Sequence, residues 1–129
     1  MEDFRVYFNA KMLDDALLKT YVTPQIVRET SSYVESVALS FGVAASQIAT
    51  PTPDIVRRLA LYYAYFISAL RKASYAVGHE ADLDSFHLKA RFYKELLDDL
   101  LDQLSADSFT GGLTSKKRKF PSTLPTSRN

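Results

Sequence analysis

"PDIVRRLALYYAYFISALRKASYAV", residues 53–77, is the stretch that decides the fold. Thr52 precedes it as the N-cap, Pro53 takes the first helical position, and Asp54 sits in the opening turn, where the macrodipole favours an anion. A helix from Pro53 to Gly78 would be about 37 Å long at ~1.5 Å per residue. Between Leu59 and Leu70 it is apolar on almost every side. Such a helix must be covered from several directions, so the pattern predicts the central helix of an all-α bundle. Arg57–Arg58 and Arg71–Lys72 bracket the apolar run. It is far shorter than the roughly 20 residues that span a bilayer, which predicts a soluble chain with no membrane partner.

Two further helices flank it in sequence. "TPQIVRETSSYVESVALSFG" opens with Thr23 as N-cap and Pro24 at the first position, and it predicts a helix over 24–41. Ile26, Val27, Thr30, Val34, Val37, Ala38 and Phe41 recur at three- and four-residue steps, Glu29 and Glu35 face away, and Gly42 marks the stop. Val43 and Ile48 in the connection are expected against the bundle. "DLDSFHLKARFYKELLDDLLDQLS" takes Asp82 as cap and carries Leu83, Phe86, Ala90, Tyr93, Leu97, Leu100 and Leu104 on one stripe, widened by Leu96 and Leu101. This is one face of a small bundle.

The ends read differently. Asn9 caps a short N-terminal helix in "AKMLDDALLKTYV", with Leu13, Ala16, Leu17 and Tyr21 on one face. Ahead of it "DFRVYF" alternates Phe4, Val6 and Phe8 as an extended arm. "ADSFTGGLTS" has the composition of a turn, with Gly111–Gly112 as a hinge. The expectation is therefore a helical-bundle domain over 1–109, with three long helices, a short N-terminal helix and extended N- and C-terminal arms. A basic tail over 110–129 follows it.

Little in the sequence points to catalysis. There is no cysteine, so disulfides, thiolate metal sites and a Cys nucleophile are excluded. His79 and His87 stand without an HExxH, a Cys/His cluster or an acidic calcium loop, and no phosphate-cradling glycine loop or GxSxG elbow occurs. No enzyme, metal or cofactor is expected. Asp14–Asp15 and Asp98–Asp99 are adjacent acids, which point about 100° apart on a helix and so do not converge. Glu95, Asp98, Asp99 and Asp102 form a better cluster near the end of the third helix, where the dipole disfavours anions. They read as a solvated face or as a docking patch for a basic partner. Tyr62, Tyr63, Tyr65 and Phe66 on the central helix read as core, or as one face turned to another subunit.

Charge is unevenly placed. Residues 1–109 hold 11 Lys/Arg against 15 Asp/Glu, a net of 11 − 15 = −4, whereas 110–129 hold five cations and no acid. "SKKRKFPSTLPTSRN" puts Lys116, Lys117, Arg118 and Lys119 in one run, followed by Phe120 and Leu124 among prolines. Such a tail reads as a solvated end, as a nuclear address, or as an arm that lies in a groove. As an arm, Phe120 and Leu124 anchor it and the cations meet carboxylates, with the acidic face at Glu95–Asp102 a receiver on a neighbouring copy. DNA contact through Lys116–Lys119 would be salt-dependent, but the basic residues do not interleave with stacking aromatics.

"LDDALLKTYVTPQIVRETSSYVESVA" (13–38), "ATPTPDIVRRLALYYAYFISALRKA" (49–73) and "FYKELLDDLLDQL" (92–104) together resemble the head-to-tail connector, or adaptor, proteins of tailed bacteriophages. The likeness covers roughly residues 12–105. It implies a structural subunit of a virion neck, assembled in the host cytoplasm. Copies would form a homo-oligomeric ring, a dodecamer, under the portal protein. They would meet the next connector or tail protein and pass DNA without sequence-specific binding. The alternative is a small regulatory or nucleic-acid-associated helical protein with a basic targeting or DNA-binding tail.

Overall fold

The computed structural model describes residues 4–75 and 80–111. Three long helices dominate: α1 (Pro24–Ser40), α2 (Asp54–Tyr75) and α3 (Glu80–Gln103), followed by a short α4 (Ala106–Thr110). Among the described residues there is no strand, so the chain is an all-α bundle as expected. α2 is the centre. It packs most extensively on α3, then on α1, and touches α4. Val56, Leu59, Ala60, Ala64, Tyr65 and Ala69 are buried on it. Small residues on this helix let its neighbours approach closely, which explains why it can be enclosed from several directions.

α1 and α2 run antiparallel. Arg71 grips Glu29 near one end, and Tyr33 stacks on Tyr63 further along at 3.9 Å and 7°. Thr23 caps α1 as its sequence demands, its hydroxyl accepting from the Ile26 amide at 3.2 Å. At the other end Gly42 takes φ 81°, and the Val43 amide returns to the Ala38 carbonyl at 2.9 Å. This is a left-handed exit that only glycine adopts cheaply. Val43 and Ile48 are buried as expected. Glu29 and Glu35 leave the apolar stripe but do not simply face water: Glu29 binds Arg71 and Glu35 accepts from Tyr7 at 2.7 Å.

Several local expectations are corrected. Thr52 does not cap α2. Its hydroxyl accepts from Arg5 at 2.8 Å, while the Pro53 carbonyl takes the Arg57 amide at 3.0 Å, so Pro53 is the cap and Asp54 the first residue. Asp82 lies inside α3, which is already helical at Glu80, and the dipole favours acids throughout that first turn. The expected end of α2 at Gly78 falls outside the described residues.

The short N-terminal helix takes the form of two 3-10 turns, Ala10–Met12 and Lys19–Tyr21, rather than a continuous α-helix. Asp15 accounts for this. Its side chain accepts from the amides of Leu17 and Leu18 at 3.0 Å each, offering the backbone an alternative to helix. The N-terminal arm is laid on the bundle: Tyr7 and Phe8 are buried, whereas Phe4 and Val6 are exposed. Finally, "ADSFT" is the short helix α4, not merely a turn, because Phe109 is wholly buried against Phe41 and the core. Gly111 ends it at φ 72°, and Gly112 lies beyond the described residues.

Candidate interaction surface

The outward face of α3 is built from the residues its core stripe leaves over. Phe86, Ala90, Tyr93, Leu97, Leu100 and Leu104 are buried, as their three- and four-residue spacing requires. That places positions 88, 92, 95, 99 and 102 on the far side, one above another at successive turns. Leu88 and Phe92 stand there 62% and 50% exposed. With Leu17, Ser85 and Lys89 they line an open groove of about 370 Å³. Leu17 comes from the N-terminal segment, so the groove lies where that segment meets α3.

Further along the same face the surface becomes acidic. Glu95, Asp98, Asp99 and Asp102 are all exposed, so the cluster expected from sequence is a real surface feature. Its members are not equivalent. Asp98 is held by Lys94 at 2.7 Å, one turn before it. Glu95, Asp99 and Asp102 have no ion-pair partner among the described residues. The last turn of α3 contains no basic residue to offset them. The residues expected to dock elsewhere, Lys116, Lys117, Arg118, Lys119, Phe120 and Leu124, lie outside the described residues. So does His79, while His87 is exposed on α3.

No protein-family model, curated protein or solved structure matches this chain. Function must therefore be argued from the surface itself.

One polar cluster was not anticipated. Asp15, 3% exposed in its side chain, accepts from the Tyr93 hydroxyl at 2.5 Å and from Lys89 at 2.9 Å, while its own amide donates to the Tyr65 hydroxyl at 2.9 Å. Burial pushes the Asp15 carboxyl up, but hydrogen bonds from Tyr93, Lys89 and the Leu18 amide, with the Lys89 charge, outweigh it and hold it below the usual range. The Tyr93 phenol is pushed up by burial and by the carboxylate it donates to. Both carboxylate oxygens are engaged, so this cluster fastens the N-terminal segment to α2 and α3. Adjacency with Asp14 hid it. Asp14 is exposed and Asp15 buried in a stretch that is not helical, and only the tertiary fold shows which one turns inward.

The four rings on α2 are also taken up within the chain. Tyr65 is buried, Tyr63 stacks on Tyr33, Tyr62 tilts against Tyr93, and Phe66 packs partly buried on the core. Large apolar side chains exposed on the long helices are instead Leu88 and Phe92 on α3, with Leu39 and Leu70 on the other two, besides Phe4, Val6 and Phe41 outside them. Their signal was in the sequence: two large apolar residues one turn apart, off the stripe of the helix that carries them.

Among the described residues no helix is long and apolar enough to cross a membrane, and no group of three or more His, Cys, Asp or Glu is placed to hold a metal.

Proposed function

We propose that this chain is a structural assembly subunit, a head-to-tail connector that docks beneath a portal ring. It would extend the DNA channel of a phage-like particle and join capsid to tail. The observation that carries an assembly role is the outer face of α3. Leu88 and Phe92 are half or more exposed on α3, and carboxylates with no ion-pair partner among the described residues continue the same face. The connector assignment itself is supported by the sequence pattern over residues 12–105, which a bundle of three long helices accommodates. In this reading the role is non-enzymatic. Neighbouring copies, the portal and the next tail component supply the partners, and DNA passes without sequence-specific contact.

The experiment is sedimentation of material from the natural source. A connector travels with large nuclease-resistant particles, and removing 113–129 abolishes attachment to the portal while leaving helicity unchanged. A protein found wholly in the light fraction would overturn the proposal. Salt-sensitive retention of duplex DNA requiring Lys116–Lys119 would favour the regulatory or nucleic-acid-associated alternative.

A further inference from the structure

We propose that the segment Lys116–Leu124 folds back over the outer face of α3 in its own molecule, seating Phe120 and Leu124 in the groove at Phe92 and Leu88 and its cations on Glu95, Asp99 and Asp102. The groove is lined largely by hydrocarbon, and the two residues that dominate it are the most exposed large apolar side chains of α3. Water-exposed apolar surface of this kind favours an apolar occupant. The face next to it adds a charge requirement, since among the described residues three carboxylates there have no ion-pair partner and the fourth, Asp98, is taken by Lys94.

Order along the chain selects the occupant. Starting from the C-terminal end of α3, the face presents Asp102, Asp99 and Glu95, then Phe92 and Leu88. The tail, followed outward from Gly111, presents Lys116–Lys119, then Phe120, then Leu124. The two sequences match when the tail runs antiparallel to α3. Lengths agree as well. Glu95 to Asp102 covers about 10 Å of helix, and four consecutive residues span at most about 10 Å between their ends.

The exit point favours the same molecule over a neighbour. Gly111 lies at the end of the bundle where α3 finishes: the Ala49 amide donates to the Phe109 carbonyl at 2.8 Å, and Phe109 shares a core with Leu100 and Leu104. Asp102 is at that end and Leu88 about 21 Å further along the helix at ~1.5 Å per residue. Gly111 to Leu124 can reach about 43 Å at ~3.3 Å per residue, enough to arrive there. A tether of this length presents the tail to the face at a local concentration on the order of millimolar, which a second copy in dilute solution does not. In this proposal the receiver is the same chain, where the sequence alone suggested a neighbouring copy. This inference does not rest on the connector reading and is tested on the isolated protein; in that reading an assembly partner takes the face by displacing the tail.

The chain has no cysteine, so a Ser122→Cys substitution in the full chain gives one site for a nitroxide. In isotope-labelled protein carrying that label, amides of 85–102 on the outer face of α3 should broaden selectively, and equally after dilution. Mixing label-free, isotope-enriched protein with nitroxide-bearing protein should broaden nothing. Phe120→Ser with Leu124→Ser should abolish the effect at unchanged far-UV circular dichroism. Glu95→Gln with Asp99→Asn and Asp102→Asn, or raised salt, should weaken it. Absence of selective broadening on α3 would overturn the proposal. So would broadening in the mixed sample matching that in the single-species sample, which would assign the face to a second copy. Broadening that survives both sets of substitutions would overturn it too.

Discussion

Replacing Asp15 by alanine should cost about 3 kcal/mol, because the buried carboxylate accepts from amides of its own segment and from two side chains of α3. The Tyr93 hydroxyl is buried and donates to it at 2.5 Å, which makes its loss the largest single effect, about 2 kcal/mol for a charge-assisted bond. The Leu17 amide loses its acceptor at 3.0 Å for roughly another 1 kcal/mol. Lys89 is 37% exposed in its side chain and recovers water, and the Leu18 amide keeps a carbonyl partner at 3.2 Å, so neither adds much. Urea unfolding followed by far-UV circular dichroism reads the change. The same loss should lower Tm by about 10 °C for a chain of this size.

The sign with pH follows from the lowered carboxyl. A group whose folded pKa lies below its unfolded one stabilises above the ordinary carboxylate value, and that stability is lost as pH falls through the folded value. Acid unfolding of the wild type should therefore include this step, and the alanine variant should lack it. Tyr93→Phe should cost about 1.5 kcal/mol alone and add little on top of Asp15→Ala. A loss below about 1 kcal/mol for Asp15→Ala, or full additivity with Tyr93→Phe, would refute the staple.

Thr23→Ala should cost about 1 kcal/mol by removing the side-chain acceptor at the start of α1, measured by the same unfolding curve. Phe109→Ala should cost about 3–5 kcal/mol, since the ring is wholly buried, and faster hydrogen exchange at Ala49 should report the release of α4. Spectrophotometric titration should find phenols that resist ionisation above pH ~10 in the folded protein and ionise normally in urea. Tyr33 is pushed up to about 12 by burial and by the Tyr63 and Asp98 charges, and Tyr7, Tyr63, Tyr65 and Tyr93 also move upward, chiefly by burial. Their raised values stabilise the fold below the ordinary phenol pKa, and that contribution is lost as pH climbs through the folded values.

Periodicity revealed what repeats, and long-range polar contacts hid what does not. The all-round apolar run of α2, the Thr23–Pro24 start and the stripe from Phe86 to Leu104 are properties of neighbouring residues, so local rules found them. Arg5 bonds to Ile48 and Ala49 carbonyls and to Thr52, and Asp15 to Tyr93, across separations of 43 to 78 residues. Nothing in "DFRVYF" or "LDDALL" marks Arg5 or Asp15 as the residue that will bond to a distant part of the chain. Those two residues explain the misplaced details: Arg5 takes the Thr52 hydroxyl that would have capped α2, and Asp15 breaks the expected N-terminal helix into turns. On the candidate surface, the acids of α3 were legible as a cluster, whereas the pairing of Asp98 with Lys94 separated one of them from the rest.

That separation has an energetic counterpart. Asp15 is buried, hydrogen-bonded and costly to remove, while Glu95, Asp99 and Asp102 are exposed, and the dipole opposes Asp99 and Asp102, in or beside the last turn of α3, by a few tenths of a kcal/mol each. Neutralising these three to Gln, Asn and Asn should therefore leave Tm unchanged or raise it slightly, by up to about 1 kcal/mol of stability in total. Because the acids hold the tail and not the fold, the same variants should weaken the tail contact while the helices stay folded. Thermal unfolding and the nitroxide measurement on one sample read the two effects separately. A clear fall in Tm comparable to that of Asp15→Ala would show these carboxylates to be structural supports, and the face of α3 would no longer be free to serve a partner.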